Sequence, residues 1–588
     1  MRFKSKKELI FYFLKGSKRY FGLAIIFACL LSVFEMVNPK IIGYTVDSII
    51  GTQENVFVNA LGGRDNLASH LYVVAIVVIA FAIIGALCRY LFGKFNSMGA
   101  ERLVLTMRNS LYEHILSLPY SWHQLNATGD IIQRCTSDVE TVKKFLSEQL
   151  TSFFRTIIMV IVALSFMASI SPLLTIIAAV FFPVVVLYSS LFYRKMGDTF
   201  QLTDEEEGKL STIAQENLTG VRVVRAFGRE KYEQQRFEKK NEEYTILWVR
   251  LMKLLSAFWT SNDILYALQL LTVVGGGAYL CVNGGMTAGE YIAFVAYNSM
   301  LAWPIRSLGR IISEMSKASI SIDRLMYILN SRPEKDSVAP HSFVNGDIEI
   351  KNVSYSFDES SKVLDNVSLT IKQGQTIGIL GTIGSGKSTL AHLLCRLYEL
   401  DEGCGNIYIG GEDIKNVDRF ELRRNVGMVL QEPYLFSRTL GENIAIGLEN
   451  ATIDDIRRAA EIACLDETVM GFKDGYDTAV GERGVTLSGG QKQRCAIAQM
   501  MIRNCPIIIF DDSLSAVDAQ TDTLIREAIL RDTKDVTTII ISHRISTIKQ
   551  ADNIFVLENG HLVQSGTHDK LVGSEGIYQR VYKLQSRT

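Results

Sequence analysis

The sequence predicts a multi-domain chain: a six-span α-helical membrane domain, then an α/β domain with a glycine-rich phosphate loop and a helical subdomain. Three observations carry that prediction. Six long apolar runs fall in the first half of the 588 residues, a polar and proline-bearing stretch ends that half, and short alternating strands then lead into GTIGSGKST. A chain of this length exceeds a single core, because compact domains usually hold about 100 to 200 residues. The expected boundaries are residues 1–330 for the membrane domain, 331–346 for a linker and 347–588 for the α/β domain.

The formal net charge is −1, and the 21% of charged residues are unevenly spread, so nothing recommends nucleic acid as a partner. Hydrophobic residues reach 48% and concentrate in the first half. The nine cysteines form no CxxC pair and have no histidine at metal-ligand spacing. They read as unpaired thiols in apolar packing or in a reducing cytosol. The opening MRFKSKKELIFYFLKGSKRY is basic and amphipathic without a small-residue cleavage site. It reads as a retained cytoplasmic segment on the membrane surface, not as a signal peptide.

The apolar runs are Tyr20–Val37, Tyr72–Cys88, Phe153–Ile170, Leu173–Phe192, Ile264–Val282 and a weaker Tyr291–Ile305. A spanning helix needs about 20 predominantly apolar residues, a length these runs meet or approach. Ser171 and Pro172 alone separate the third and fourth runs, and NGGMTAGE separates the fifth and sixth. Arg89–Ser152 and Tyr193–Asp263, in contrast, are long, polar and rich in Lys and Arg. The positive-inside bias, reinforced by Lys4, Lys6, Lys7, Lys15, Lys18 and Arg19, puts those stretches and both termini in the cytoplasm. Heptad-like spacing predicts that the membrane helices continue there as two hairpins. Their tips are expected in Leu118–Asp130 and Asn217–Glu230, where Pro119, Gly129, Gly220 and Gly228 permit turns.

Charges inside spans are expensive, which singles out Glu35, Arg155 and Arg306. Two readings stand for them, pairing with another helix or contact with cargo, and pairing is the favoured one. Tyr291, Asn298 and Trp303 of the sixth run fit a pathway lining or plain packing equally well.

The linker SRPEKDSVAPHSFVNG breaks the helical pattern. Beyond it the strand QTIGIL runs directly into Gly381–Thr389, and the helical pattern TLAHLLCRLY follows. This is G-x-x-x-x-G-K-S in its strand–loop–helix context, the mark of a P-loop nucleotide-binding domain. Gly381, Thr382, Ile383, Gly384, Ser385, Gly386, Lys387, Ser388 and Thr389 are the candidate nucleotide contacts. The glycines let backbone N–H groups point at phosphate oxygens, Lys387 reaches the β and γ phosphates, and Ser388 offers a hydroxyl to Mg²⁺. Four more stretches extend the constellation. Gln431 follows an apolar strand and is able to reach Mg²⁺ or an attacking water. Ser488, Gly489, Gly490 and Gln491 open a helix, an anion-binding terminus. Asp511 ends the strand IIIF and suits Mg²⁺ through water, with Asp512 beside it. His543 ends the strand III-S and can donate a hydrogen bond to a γ-phosphate.

The set GTIGSGKST, Gln431, LSGGQ, IIIFDDS, SAVD and His543 resembles the ATP-binding cassette (ABC) family. With six preceding spans on one chain, it is similar to a half-transporter of the multidrug-exporter type. The resemblance implies that two chains associate, that ATP and Mg²⁺ bind, and that ATP is sandwiched between the phosphate loop of one chain and the LSGGQ of the other. It implies that Ser515–Asp518, with Asp518, forms a loop that speaks across the dimer. It also places Phe357 where the family's adenine-stacking aromatic, usually Tyr, stands; stacking needs only a π face.

Asp512 is the serious departure, because the family carries there a Glu that acts as general base. Asp is shorter by roughly 1.5 Å of reach, and misplacement by about 1 Å can cost on the order of 10²-fold in rate. The implied catalytic set is therefore Asp512, His543 and Gln431, with slow hydrolysis at this chain's own site. A chain that weakens its own base and keeps the signature it lends out makes sense in a heterodimer with a second ABC half-transporter. A homodimer in which Asp suffices is the alternative. Six apolar runs exclude a soluble DNA-repair cassette ATPase. Fusion of spans and cassette on one chain favours export of small hydrophobic or amphipathic compounds across a bacterial plasma membrane over import. Lipid export is the nearest alternative, and an exporter-shaped importer of metal chelates a more distant one.

Overall fold

The structure is a computed structural model that describes residues 3–49, 71–335, 341–357, 361–481, 484–513, 517, 519–532 and 536–586. By contact the chain divides into two units: Met1–Ser117 with Asn126–Ser331, and Leu118–Leu125 with Arg332–Thr588.

The first unit is entirely helical among the described residues. The six apolar runs all fall on helices: Lys18–Ile49, Tyr72–Leu116, Thr151–Ile170, Pro172–Thr219, Glu230–Val282 and Ala288–Asn330. Five stretches are long and apolar enough to cross a membrane. The helix Ala288–Asn330 is not among them, because Asn298, Ser299 and Pro304 interrupt its apolar run. Long helices carry the chain past the runs to both predicted tips. At the second tip the chain turns through Gly220, the short helix Val221–Ala226 and Gly228 at φ +60°.

Packing inside this unit relies on small residues and on buried polar pairs. A Cβ on Gly289 would collide with the Gly43 carbonyl oxygen, so the two backbones meet as membrane helices do through small residues. Met36, Met159, Met167, Phe294 and Tyr297 share one buried cluster, and the Tyr297 hydroxyl donates to the Met36 carbonyl at 3.0 Å. The three suspect charges are all paired. Glu35 accepts from Arg155 at 3.0 Å and from Arg89 at 2.7 Å, and Arg306 meets Asp263 at 3.0 Å. Asn298 is buried and accepts from Gln269 at 3.0 Å. The Tyr291 ring packs against Gly277. Trp303 stays exposed and stacks on Trp259 with centroids 6.0 Å apart.

The second unit contains two sheets. One is antiparallel, in the order β2 (Lys362–Ile371), β1 (Ile348–Ser356), β4 (Asn406–Ile409), β5 (Glu412–Asp413). The other has the order β10 (His561–Gly566), β9 (Asn553–Glu558), β3 (Thr376–Gly381), β8 (Thr537–Ile541), β7 (Ile507–Asp511), β6 (Val426–Val429). From β9 to β6 every pairing is parallel. β7 and β8 are buried at every position, as strands covered on both faces must be, which is why IIIF and TTIII read as continuous runs. The helices Leu440–Ala445, Ile453–Ile462, Asp466–Met470 and Gly489–Met501 pack on one another as a helical subdomain of this unit. They bury Leu440, Ile444, Ile456, Val469 and Ile497.

Candidate functional site

β3, β8 and β7 are consecutive and parallel, so their carboxyl ends share one edge, where open α/β sheets bind ligands. β3 feeds the phosphate loop, β7 ends on Asp511, and β8 is followed by Ser542 and His543. β6, next to β7, leads at the same edge to Gln431, which is exposed.

In the loop, Gly384 and Gly386 take φ +82° and +93°, the left-handed region that favours glycine. A Cβ on Gly386 would also lie 2.7 Å from the Val363 carbonyl oxygen. Curled this way, the loop surrounds Lys387, whose Nζ donates to the carbonyls of Gly381 at 3.0 Å and Thr382 at 2.8 Å, and to Ser385 Oγ at 3.4 Å. Ser385, Lys387 and Thr389 are buried, whereas Ile383 is almost fully exposed. Burial pushes the Lys387 ammonium below its ordinary value, against the opposing pull of Asp511 and Asp512. Ser388 Oγ donates to Asp511 Oδ1 at 3.0 Å. Asp511 is 4% exposed, and burial raises its carboxyl above the usual range while the Ser388 bond works the other way. A hydroxyl and a carboxylate held together at the mouth of a phosphate loop are hard oxygen donors of the kind Mg²⁺ takes. The residues therefore fit a magnesium nucleotide.

Asp512 is half-buried and stands in the left-handed region at φ +44°, with its N–H donating to the Ile541 carbonyl at 2.9 Å. Aspartate is among the few non-glycine residues that visit this region. His543 is half-buried; before it, the Ser542 N–H donates to the Ile379 carbonyl at 3.2 Å, tying the loop to β3.

Ser488 caps the helix Gly489–Met501 in a reciprocal box: its Oγ accepts from the Gln491 N–H at 3.3 Å, and Gln491 Oε1 accepts from the Ser488 N–H at 2.9 Å. The S-x-x-Q spacing is itself the signal of that box. Ser488 and Gly489 are exposed, and among the described residues no hydrogen bond joins Ser488, Gly489, Gly490 or Gln491 to the phosphate loop. Phe357 follows β1, is 56% exposed, and meets Tyr355 and Tyr398 edge-on at 5.3 Å each. Asp518, with Ser515 and Ala516, lies outside the described residues.

Sequence reasoning missed the groups behind Phe357. Tyr398 donates its hydroxyl to Gln124 Oε1 at 2.7 Å, and Tyr120 packs on Tyr398 and His392 with centroids 5.6 and 5.8 Å apart. His392 lies on the helix Lys387–Leu394, and burial lowers its pKa despite the charge of Asp511. The aromatic tip LPYSW was the one available signal, and it named no partner.

Residues 21–305 match the ABC transporter transmembrane region, and residues 364–515 match the ABC transporter domain. The chain is 32% identical, over 98% of both chains, to the putative multidrug export ATP-binding/permease protein YgaD of Bacillus subtilis. It is 34% identical to the uncharacterized ABC transporter ATP-binding protein YknU of the same organism, over 97% of this chain and 96% of that one. A putative multidrug export ATP-binding/permease protein of Staphylococcus aureus, SAOUHSC_02003, is 32% identical over 98% of this chain and 99% of its own length. Among solved structures, a bacterial Atm1-family ABC exporter with ATP bound superposes with a TM-score of 0.82 at 26% identity. It covers 97% of this chain and 99% of its own.

Proposed function

The chain belongs to the ABC transporter family, an ATP hydrolase coupled to transport, and from that premise we propose ATP-driven export of hydrophobic and amphipathic compounds across the plasma membrane. The observation that carries the reading is the end-to-end match, spans and cassette together, to relatives named putative multidrug export ATP-binding/permease proteins. Both termini and the ATP-binding domain face the cytoplasm in this reading, and the chain is one half of a dimer. ATP sits on Gly381–Thr389 with Phe357 against the adenine, and Ser388, Asp511 and Gln431 hold Mg²⁺, which when bound neutralises phosphate charge. Asp512 orients the attacking water, and His543 donates to the γ-phosphate. Ser488, Gly489, Gly490, Gln491 and Asp518 serve the nucleotide of the other half.

The other half is proposed to be a different ABC chain. Support comes from the contrast between Asp512, short for a general base, and a Ser388–Asp511 pair and signature helix that keep every donor. ATPase of the purified chain, alone and with the product of an adjacent half-transporter gene, tests this: full activity from the lone chain sinks the heterodimer. For export, ATP-dependent accumulation of a hydrophobic cation inside inverted vesicles is the expected result. Accumulation of a labelled lipid in its place would favour lipid export, and accumulation of a metal chelate in right-side-out vesicles would favour import.

A further inference from the structure

The backbone that carries His543 is held on both sides, and the two holds differ in kind. On the near side, the Ser542 N–H donates to the Ile379 carbonyl of β3, an extension of the sheet's own ladder. On the far side the Arg544 N–H donates to Ser542 Oγ at 3.1 Å, and the groups to either side of it are taken by one side-chain amide. Gln585 Nε2 donates to the His543 carbonyl at 2.7 Å, and Gln585 Oε1 accepts from the Ile545 N–H at 2.8 Å. One amide thus clips the peptide groups flanking Arg544, as a neighbouring strand would.

Gln585 ends the helix Ile577–Gln585, and that helix is itself fixed. Tyr578 on it is fully buried, its N–H donates to Gln564 Oε1 on β10 at 3.1 Å, and its hydroxyl lies 2.7 Å from His568 Nδ1. The clip therefore belongs to a rigid element anchored on the far edge strand of the sheet, well separated in sequence from the loop it holds.

We propose that Gln585 is a positioning residue for ATP hydrolysis: by fixing the peptide groups at His543 and Ile545, it aims the His543 imidazole at the γ-phosphate. The proposal rests on the reading of His543 as the γ-phosphate donor. Side-chain torsions start from the backbone, so a loop free to shift by about 1 Å would move the imidazole by as much, a displacement that can cost on the order of 10²-fold in rate. Gln585 is exposed, so its replacement leaves the core untouched.

The test uses the full chain, assembled with its partner half where activity requires one and with a different partner's own nucleotide site silenced, so that turnover reports this chain's site, and four variants: Gln585→Leu, Gln585→Glu, His543→Ala and the double variant Gln585→Leu/His543→Ala. Gln585→Glu keeps the acceptor for Ile545 and sets a carboxylate against the His543 carbonyl. Both single Gln585 variants are expected to lower kcat for ATP by about tenfold or more with KM within about twofold, because the phosphate loop and Phe357 are unchanged. In the His543→Ala background the Leu substitution is expected to cost nothing further. Losses that multiply in the double variant, or an unchanged kcat in both single Gln585 variants while His543→Ala is inactive, overturn the role of Gln585. Full hydrolysis by His543→Ala overturns the His543 reading first and this proposal with it.

Discussion

Ser388 Oγ donates a 3.0 Å hydrogen bond to Asp511 Oδ1, joining the helix after the phosphate loop to the end of β7. That bond holds the buried Asp511 carboxyl lower than burial alone would. Ser388→Ala removes the hydroxyl and lets the carboxyl rise further, so more of it is protonated at any given pH. With the other site silenced, the Mg²⁺ titration of ATPase activity should shift about tenfold or more to higher concentration, and activity should be lost at a higher pH on acidification. An unchanged Mg²⁺ requirement would remove Ser388 from the metal site.

Asp512 is expected to limit hydrolysis at the site on this chain. With the other site silenced, Asp512→Glu should raise single-turnover hydrolysis by about tenfold or more, and Asp512→Asn should lower it. The backbone opposes the gain: at φ +44° aspartate is better tolerated than glutamate, and left-handed strain amounts to about 1–2 kcal/mol for an ordinary residue. A faster but slightly less stable Glu variant is the expected pairing. No change in rate would make Asp512 a tolerated variant.

Much of the fold was legible because its signals are local. Apolar runs of spanning length, β-branched stretches such as IIIF, and a glycine pattern between strand and helix each follow from short-range physics. That Gly381–Thr389, Asp511 and His543 each stand at or just past the end of an apolar strand was legible too, whereas the adjacency of those strands at one edge was not. What stayed hidden is relational. No spacing shows that Tyr120 meets His392, that Gln585 clips His543, or that Glu35 faces two arginines. The left-handed turn at Asp512 is a backbone property that its side chain permits without announcing.

His392 should make the cassette acid-sensitive. Burial lowers its pKa in the folded chain below the ordinary value near 6.5, with the Asp511 charge opposing and the Tyr120 and Tyr398 rings packed against it. The unfolded chain therefore binds the proton first as pH falls. This contribution to stability is complete above about pH 6.5 and is lost below it, down to the folded pKa, at no more than about 1.4 kcal/mol per pH unit. In nucleotide-free protein with EDTA, the unfolding midpoint of wild type should fall more between pH 6.5 and 5.5 than that of His392→Asn. Parallel pH profiles would show that this imidazole is not a source of the sensitivity.

Glu35 bridges two cations of unequal burial: the Arg155 side chain is 34% exposed and that of Arg89 67%, while Glu35 is 19% exposed. An exposed pair is worth about 0–1 kcal/mol, whereas stranding one partner of a buried pair costs about 3–5 kcal/mol. Glu35→Gln should therefore cost about 2 kcal/mol, between those limits, and Arg89→Gln close to nothing. Arg155→Gln added to Glu35→Gln should recover most of the loss, because it removes the charge left without a partner. Unfolding midpoints of the four proteins in the same detergent check this order. A Glu35→Gln chain as stable as wild type but altered in the cargo concentration needed for transport would instead move Glu35 from helix pairing to cargo contact.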